Sequence, residues 1–211
     1  MSATNWLELG AAALIGYLLG SIPFGLLVTR LAGAADPRTI GSGNIGATNV
    51  LRTGRKDLAI LTLLLDAAKG AAAVVVVTLL LPDPGPVPAP SIQAIVAGAL
   101  AFLGHVYPLW LRFRGGKGVA TFLGVALALS WPCGLVFAIV WLAAFLVTRH
   151  SSVGGMIAAI ATPVTAAVLN RSDLTLVFLL LALIVLWKHR ANVERLLDGT
   201  EPRFGGGSGA V

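Results

Sequence analysis

Residues 58–81 read LAILTLLLDAAKGAAAVVVVTLLL, an apolar run interrupted in its middle by Asp66 and Lys69. A transmembrane helix needs about 20 predominantly apolar residues to cross the hydrocarbon core, so this run can span by itself. Ionisable groups at that depth are expensive and mark functional sites by default. The i, i+3 spacing of Asp66 and Lys69 puts both on one helical face, where they can pair. The pair reads either as part of a site or as a clip between helices. Gly70 beside it permits close approach of a neighbouring backbone.

Six further apolar runs flank this one, at about 5–29, 91–111, 118–129, 133–148, 153–169 and 174–187. The fold class that follows is all-α, a polytopic integral membrane protein with about seven transmembrane helices. The fourth run, 118–129, is too short to span alone. It is either a half-helix or continuous with the fifth run across Ser130-Trp131-Pro132. Composition agrees: 57% of the residues are hydrophobic and 11% charged, where soluble domains carry about 25% charged residues. Cys133 is the single cysteine, which leaves neither a disulfide framework nor a cysteine-based zinc cluster. No Lys or Arg precedes the first run, so a cleaved signal peptide is not expected.

The cations set an expected orientation. Arg30, Arg38, Arg52, Arg55 and Lys56 follow the first run, Arg112, Arg114 and Lys117 the third, Arg149 the fifth, and Lys188, Arg190, Arg195 and Arg203 the last. With seven alternating spans all of them share one side, and the opposite loops contribute only Arg171. The positive-inside rule then places the N-terminus outside and the C-terminus in the cytoplasm. The same rule accounts for the net charge of +6, so no nucleic-acid partner is expected. Residues 1–203 read as a single helical transmembrane domain, Pro82–Pro90 as a polyproline-like connection, and 204–211 as a Gly-rich disordered tail.

Two polar stretches on the cytoplasmic side carry chemistry. The first is Gly41-Ser42-Gly43-Asn44-Ile45-Gly46-Ala47-Thr48-Asn49, followed by Arg52. Glycines let backbone N–H groups converge on an anion, while hydroxyls, amides and a guanidinium add hydrogen bonds and charge. The run matches G-x-G-x-x-G, but no strand precedes it, so a dinucleotide site is not supported. The second stretch runs from Gly104-His105 through Arg112-Phe113-Arg114-Gly115-Gly116-Lys117-Gly118 to Thr121. It suits a second anion, with Lys117 as a point charge on closely approachable backbone. It is not a Walker A loop, because Gly118 follows the lysine. Topology explains arginines in this stretch; it does not explain the glycines. His105, near the end of the third run, can act as a base, hydrogen-bond a substrate oxygen, or be structural. Ser151-Ser152 opens the sixth run, where a helix cap is the commoner reading and an anion contact the other. The tail carries His189, Arg190, Asn192, Glu194 and Arg195, mostly as snorkelling charges.

Taken together, the Gly41–Arg52 run, the Gly104–Thr121 stretch and the serine pair resemble the bacterial acyl-phosphate:glycerol-3-phosphate acyltransferase (PlsY) family. The likeness extends from Gly20-Ser21-Ile22-Pro23 to Asn192-Glu194-Arg195. It implies transfer of a fatty acyl group from acyl phosphate to the 1-hydroxyl of sn-glycerol 3-phosphate, giving lysophosphatidic acid and inorganic phosphate. No metal, cofactor or obligate protein partner is implied. The implied setting is the bacterial cytoplasmic (inner) membrane, crossed several times, with the site facing the cytoplasm. Implied catalytic residues are His105, Ser42, Asn44, Arg52 and Lys117. Implied substrate contacts are Gly41, Gly43, Gly46, Thr48, Asn49, Lys69, Gly115, Gly116, Gly118, Thr121, Ser151, Ser152, Asn192 and Glu194. The rival reading is a transporter of a phosphorylated or anionic solute, which would need binding groups reachable from both faces.

Overall fold

The computed structural model describes residues 3–81 and 90–204, and all regular structure among them is helical. Most of the expected polyproline-like connection and the tail beyond Phe204 lie outside the described residues. The helices are α1 (Ala3–Gly20), α2 (Phe24–Leu31), α3 (Ala47–Leu51), α4 (Lys56–Leu80), α5 (Ile92–Val106), α6 (Val119–Leu129), α7 (Trp131–Thr148), α8 (Ser151–Val168), α9 (Ser172–Lys188) and α10 (Arg190–Leu197). Among the described residues, five stretches are long and apolar enough to cross a membrane, and the bent pair α9 and α10 brings the number to six. The eleven-residue α6 is shorter than these.

Two details of the runs become visible, while Trp6–Leu31 still qualifies as one candidate span. The first run is broken: α1 ends at Gly20, and Pro23 starts α2 after an irregular Ser21-Ile22 step. Proline has no N–H to continue the ladder, which leaves carbonyls open near the break. The fourth and fifth runs are separate helices, because Ser130 is extended (φ −158°, ψ 95°) and ends α6.

Backbone contacts divide the chain into two compact units, Met1–Gly134 and Leu135–Val211. In the first, α1 lies against α5, and α4 against both α5 and α6. In hydrocarbon, helices gain little from hiding apolar surface, so close packing and hydrogen bonds must hold them together. Small residues make the contacts. A Cβ on Gly16 would strike Ala97, one on Gly20 would strike Ala101, and Gly124 lies in the same way against Ala67. Phe102 and Phe122 meet edge to face across α5 and α6, centroids 5.9 Å apart. Buried threonines are satisfied internally: Thr29 and Thr62 donate to the carbonyls of Gly25 (2.8 Å) and Leu58 (2.7 Å).

In the second unit α8 packs on α9. Side chains such as Val147, Val168 and Leu176 point outward, as Leu79 and Leu64 do in the first unit. That apolar exterior suits lipid contact rather than water. Ser151 and Ser152 do not cap α8. His150 occupies the cap position with no side-chain bond, and the Ser152 hydroxyl is directed elsewhere.

Candidate active site

The Gly41–Arg52 segment is organised by Asn49, which is 2% exposed. Its amide nitrogen donates toward the carbonyl oxygens of Pro37, Ile40 (3.0 Å) and Asn44 (2.8 Å). Its Oδ1 accepts from the Ser42 backbone N–H (3.3 Å) and from Arg52 Nη1 (3.1 Å). Expected as a substrate contact, Asn49 instead spends its hydrogen-bonding capacity on the loop itself. Asn44 Oδ1 accepts from the Gly46 N–H at 2.9 Å. Gly41 sits at φ +55°, and a side chain there would collide with Arg52. Ser42, Thr48 and Arg52 remain exposed at the surface of this wired loop. Upstream, Arg38 bonds the Asp36 carboxylate (2.6 Å) and holds it below its ordinary value.

The second stretch folds back over the end of α5. Gly116 and Gly115 donate their N–H groups to the carbonyls of His105 (3.0 Å) and Val106 (3.2 Å). A Cβ on Gly116 would overlap the His105 imidazole at Nε2, and one on Gly118, at φ +87°, would strike Phe102. Arg112 (φ 51°) and Phe113 (φ 62°) are left-handed without being glycine, a conformation that the surrounding structure must impose. Trp110 Nε1 donates to the Ser21 carbonyl (2.8 Å) and the Tyr17 hydroxyl to the Tyr107 carbonyl (2.8 Å). These bonds fasten the entry of the loop to the end of α1.

Beneath that loop lies a buried ionic cluster. Lys69 Nζ pairs with Asp66 Oδ1 at 2.7 Å, and His105 Nδ1 stands 3.5 Å from the same oxygen. Lys69 also donates to the Ile22 carbonyl at 2.7 Å, next to the break ahead of α2, and lies 5.6 Å from the Phe24 ring. Asp66, Lys69 and His105 are 3–4% exposed. Lys69, expected to touch substrate, has its ammonium held by Asp66 and the Ile22 carbonyl in this structure. Thr121 likewise turns inward, donating to the Asp66 carbonyl at 3.0 Å. A Cβ on Gly25, one residue beyond Phe24, would strike the Ile45 carbonyl. The Gly41–Arg52 loop is therefore seated on the same short helix that borders the ionic cluster.

The second unit holds its own polar knot. Glu201 Oε1 accepts from Ser152 Oγ (2.6 Å) and Asn192 Nδ2 (2.7 Å), and Oε2 pairs with Arg195 Nε (2.8 Å). Burial works to raise the Glu201 carboxyl, but bonds from Ser152, Asn192 and Arg195 outweigh it and leave it below its ordinary value. Glu201 carries no pattern that singles it out in the sequence, and Glu194, expected as a substrate contact, is exposed on α10. Ser151 is half-buried. His189 is buried, its Nδ1 2.8 Å from the Val185 carbonyl.

These features define a class: a polytopic helical membrane protein with buried polar chemistry beneath glycine loops suited to anions. Comparison with known proteins narrows it. The glycerol-3-phosphate acyltransferase family model matches residues 10–199. Glycerol-3-phosphate acyltransferases of Mesorhizobium japonicum and Agrobacterium fabrum are 52% and 53% identical, covering 92% and 97% of this chain and 95% and 98% of their own. A crystal structure of PlsY (YgiH), an integral membrane glycerol 3-phosphate acyltransferase, in its glycerol 3-phosphate form superposes with a TM-score of 0.84. It is 35% identical and covers 93% of this chain and 96% of its own. The lysophosphatidic acid form gives 0.82 at 34% identity over 93% and 95% of the two chains. The chain belongs to the PlsY family of glycerol-3-phosphate acyltransferases and is an integral membrane acyltransferase. The transporter reading falls with that membership.

Proposed function

We propose that the enzyme transfers a fatty acyl group from acyl phosphate to the 1-hydroxyl of sn-glycerol 3-phosphate, releasing lysophosphatidic acid and inorganic phosphate. The observation that carries the reading is the pair of glycine loops, one bearing Arg52 and the other Lys117. Two phosphorylated substrates call for two such cradles. Related PlsY structures hold glycerol 3-phosphate and lysophosphatidic acid, the acceptor and product of this reaction.

Ser42, Asn44, Thr48 and Arg52, with backbone N–H groups around Gly41, Gly43 and Gly46, hold one phosphate and the developing oxyanion. Asn49 keeps that loop in shape. Lys117, with the backbone of Gly115, Gly116 and Gly118, holds the second phosphate, and His105 orients this loop. The acceptor oxygen attacks the acyl carbon and the bond to the donor phosphate breaks, the phosphate leaving with the electron pair. The hydroxyl proton passes to the acceptor's own phosphate, whose second pKa is about 6, and on to the departing phosphate. An acyl phosphate is already an activated anhydride, so positioning and charge stabilisation suffice.

The asymmetry of Lys and Arg supports both loops facing the cytoplasm from the bacterial inner membrane, with the eleven-residue α6 as the short fourth of seven crossings. No protein partner is needed for the chemistry.

The test is turnover by the purified protein with acyl phosphate or acyl-CoA as donor. Lysophosphatidic acid and phosphate formed together, only when glycerol 3-phosphate is present, is the expected result. Turnover with acyl-CoA alone overturns the donor.

A further inference from the structure

We propose that Asp66 is a positioning residue for acyl transfer, acting through His105 on the Lys117 loop. One oxygen, Oδ1, lies 2.7 Å from Lys69 Nζ and 3.5 Å from His105 Nδ1. The helix-break carbonyl of Ile22 holds the same ammonium at 2.7 Å. The charge of a carboxylate held in this way, 3.5 Å from Nδ1, favours a proton on that nitrogen and so biases the tautomer and orientation of the imidazole. The His105 carbonyl takes the Gly116 N–H, and the His105 ring fills the space that a Gly116 side chain would need. A shift of the ring therefore moves the backbone at Gly116, the neighbour of Lys117. The backbone of the helix is tied in as well, because Thr121 in α6 donates to the Asp66 carbonyl at 3.0 Å.

Asp66 touches no substrate in this account; it places the groups that do. The inference rests on Lys117 being a phosphate ligand. It does not depend on which acyl donor is used.

A structural clip and a positioning residue predict different kinetics. Asp66→Glu keeps a counter-ion for Lys69 and so keeps the fold, while its extra methylene moves the carboxylate away from Nδ1. The expected result is a kcat lower by about 10- to 100-fold with the thermal midpoint of the wild type. In a His105→Gln background the same change should cost nothing further, because the residue through which it acts is already gone. A second variant, Asp66→Asn with Lys69→Met, removes both buried charges together. Losing both partners of a buried pair is often nearly neutral for stability, whereas losing one is costly. This variant should regain stability relative to Asp66→Asn and remain catalytically impaired. Wild-type kcat in Asp66→Glu, additive losses with His105→Gln, or full activity in the double-neutral variant would each reduce Asp66 to a clip. Lys117→Ala serves as the separate control: if it leaves activity intact, the reading of the loop fails whatever Asp66 does.

Discussion

The two glycine loops of the first unit are held by opposite means. The Gly41–Arg52 loop is wired by hydrogen bonds converging on one neutral, buried amide, Asn49. The Gly115–Gly118 loop makes two backbone bonds to the end of α5 and is otherwise shaped by contact, its backbone laid over the His105 ring above an ionic cluster. A hydrogen-bonded loop loses stability bond by bond when its hub is removed. A loop shaped by contact tolerates almost no added volume. The difference sets which substitutions should abolish catalysis and which should only soften binding.

The largest effect is expected at Gly116→Ala, where the added methyl meets the His105 ring. Displacement of the loop should lower kcat/KM by about 100-fold or more, read in the donor-saturated assay. Next comes Asn49→Ala, which strips the other loop of its hub. The expected loss is about 2 kcal/mol in stability, measured as a lower thermal midpoint, with a raised KM for one substrate and a smaller change in kcat. Should Asn49→Ala prove as damaging to kcat as Gly116→Ala, the contrast between wired and shaped loops collapses.

A smaller, pH-dependent effect belongs to the second unit. The Glu201 carboxyl sits below its ordinary value of 4.5 in the folded protein. Its contribution is therefore present above that pH and is lost as pH falls through the folded value. The wild-type thermal midpoint should fall more steeply than that of Glu201→Gln as pH drops below 4.5. Parallel curves for the two proteins would remove Glu201 as the source. The least effect is expected from Asp57→Asn, whose exposed pair with Arg55 at 2.6 Å is screened by solvent. Its activity should match the wild type.

How much of this was legible in the sequence depended on the range of each interaction. Hydropathy located the apolar helices because spanning lipid demands long apolar runs. The i, i+3 pairing of Asp66 and Lys69 was readable because both lie on one helix. The break at Ser21–Pro23 was hidden inside a continuous apolar run, although Pro23 signals it. The third member of the cluster, His105, lies 39 positions beyond Asp66, and no local pattern announces that contact. Asn49 and Thr121 carry residue types suited to substrate, and their burial and internal hydrogen bonds have no local signature in the sequence. Glu201 escaped notice because it follows the turn at Gly199, where a lone carboxylate reads as surface. Its partner Ser152 lies 49 positions away.

The central claim is that each loop holds a different phosphate. It is tested most directly by measuring KM for glycerol 3-phosphate and for the acyl donor in Arg52→Ala and Lys117→Ala. The account predicts that each variant raises KM for one substrate and leaves the other near the wild-type value, with the affected substrate exchanged between the two variants. If both variants raise KM for the same substrate and spare the other, the two loops form a single phosphate site and the account is wrong.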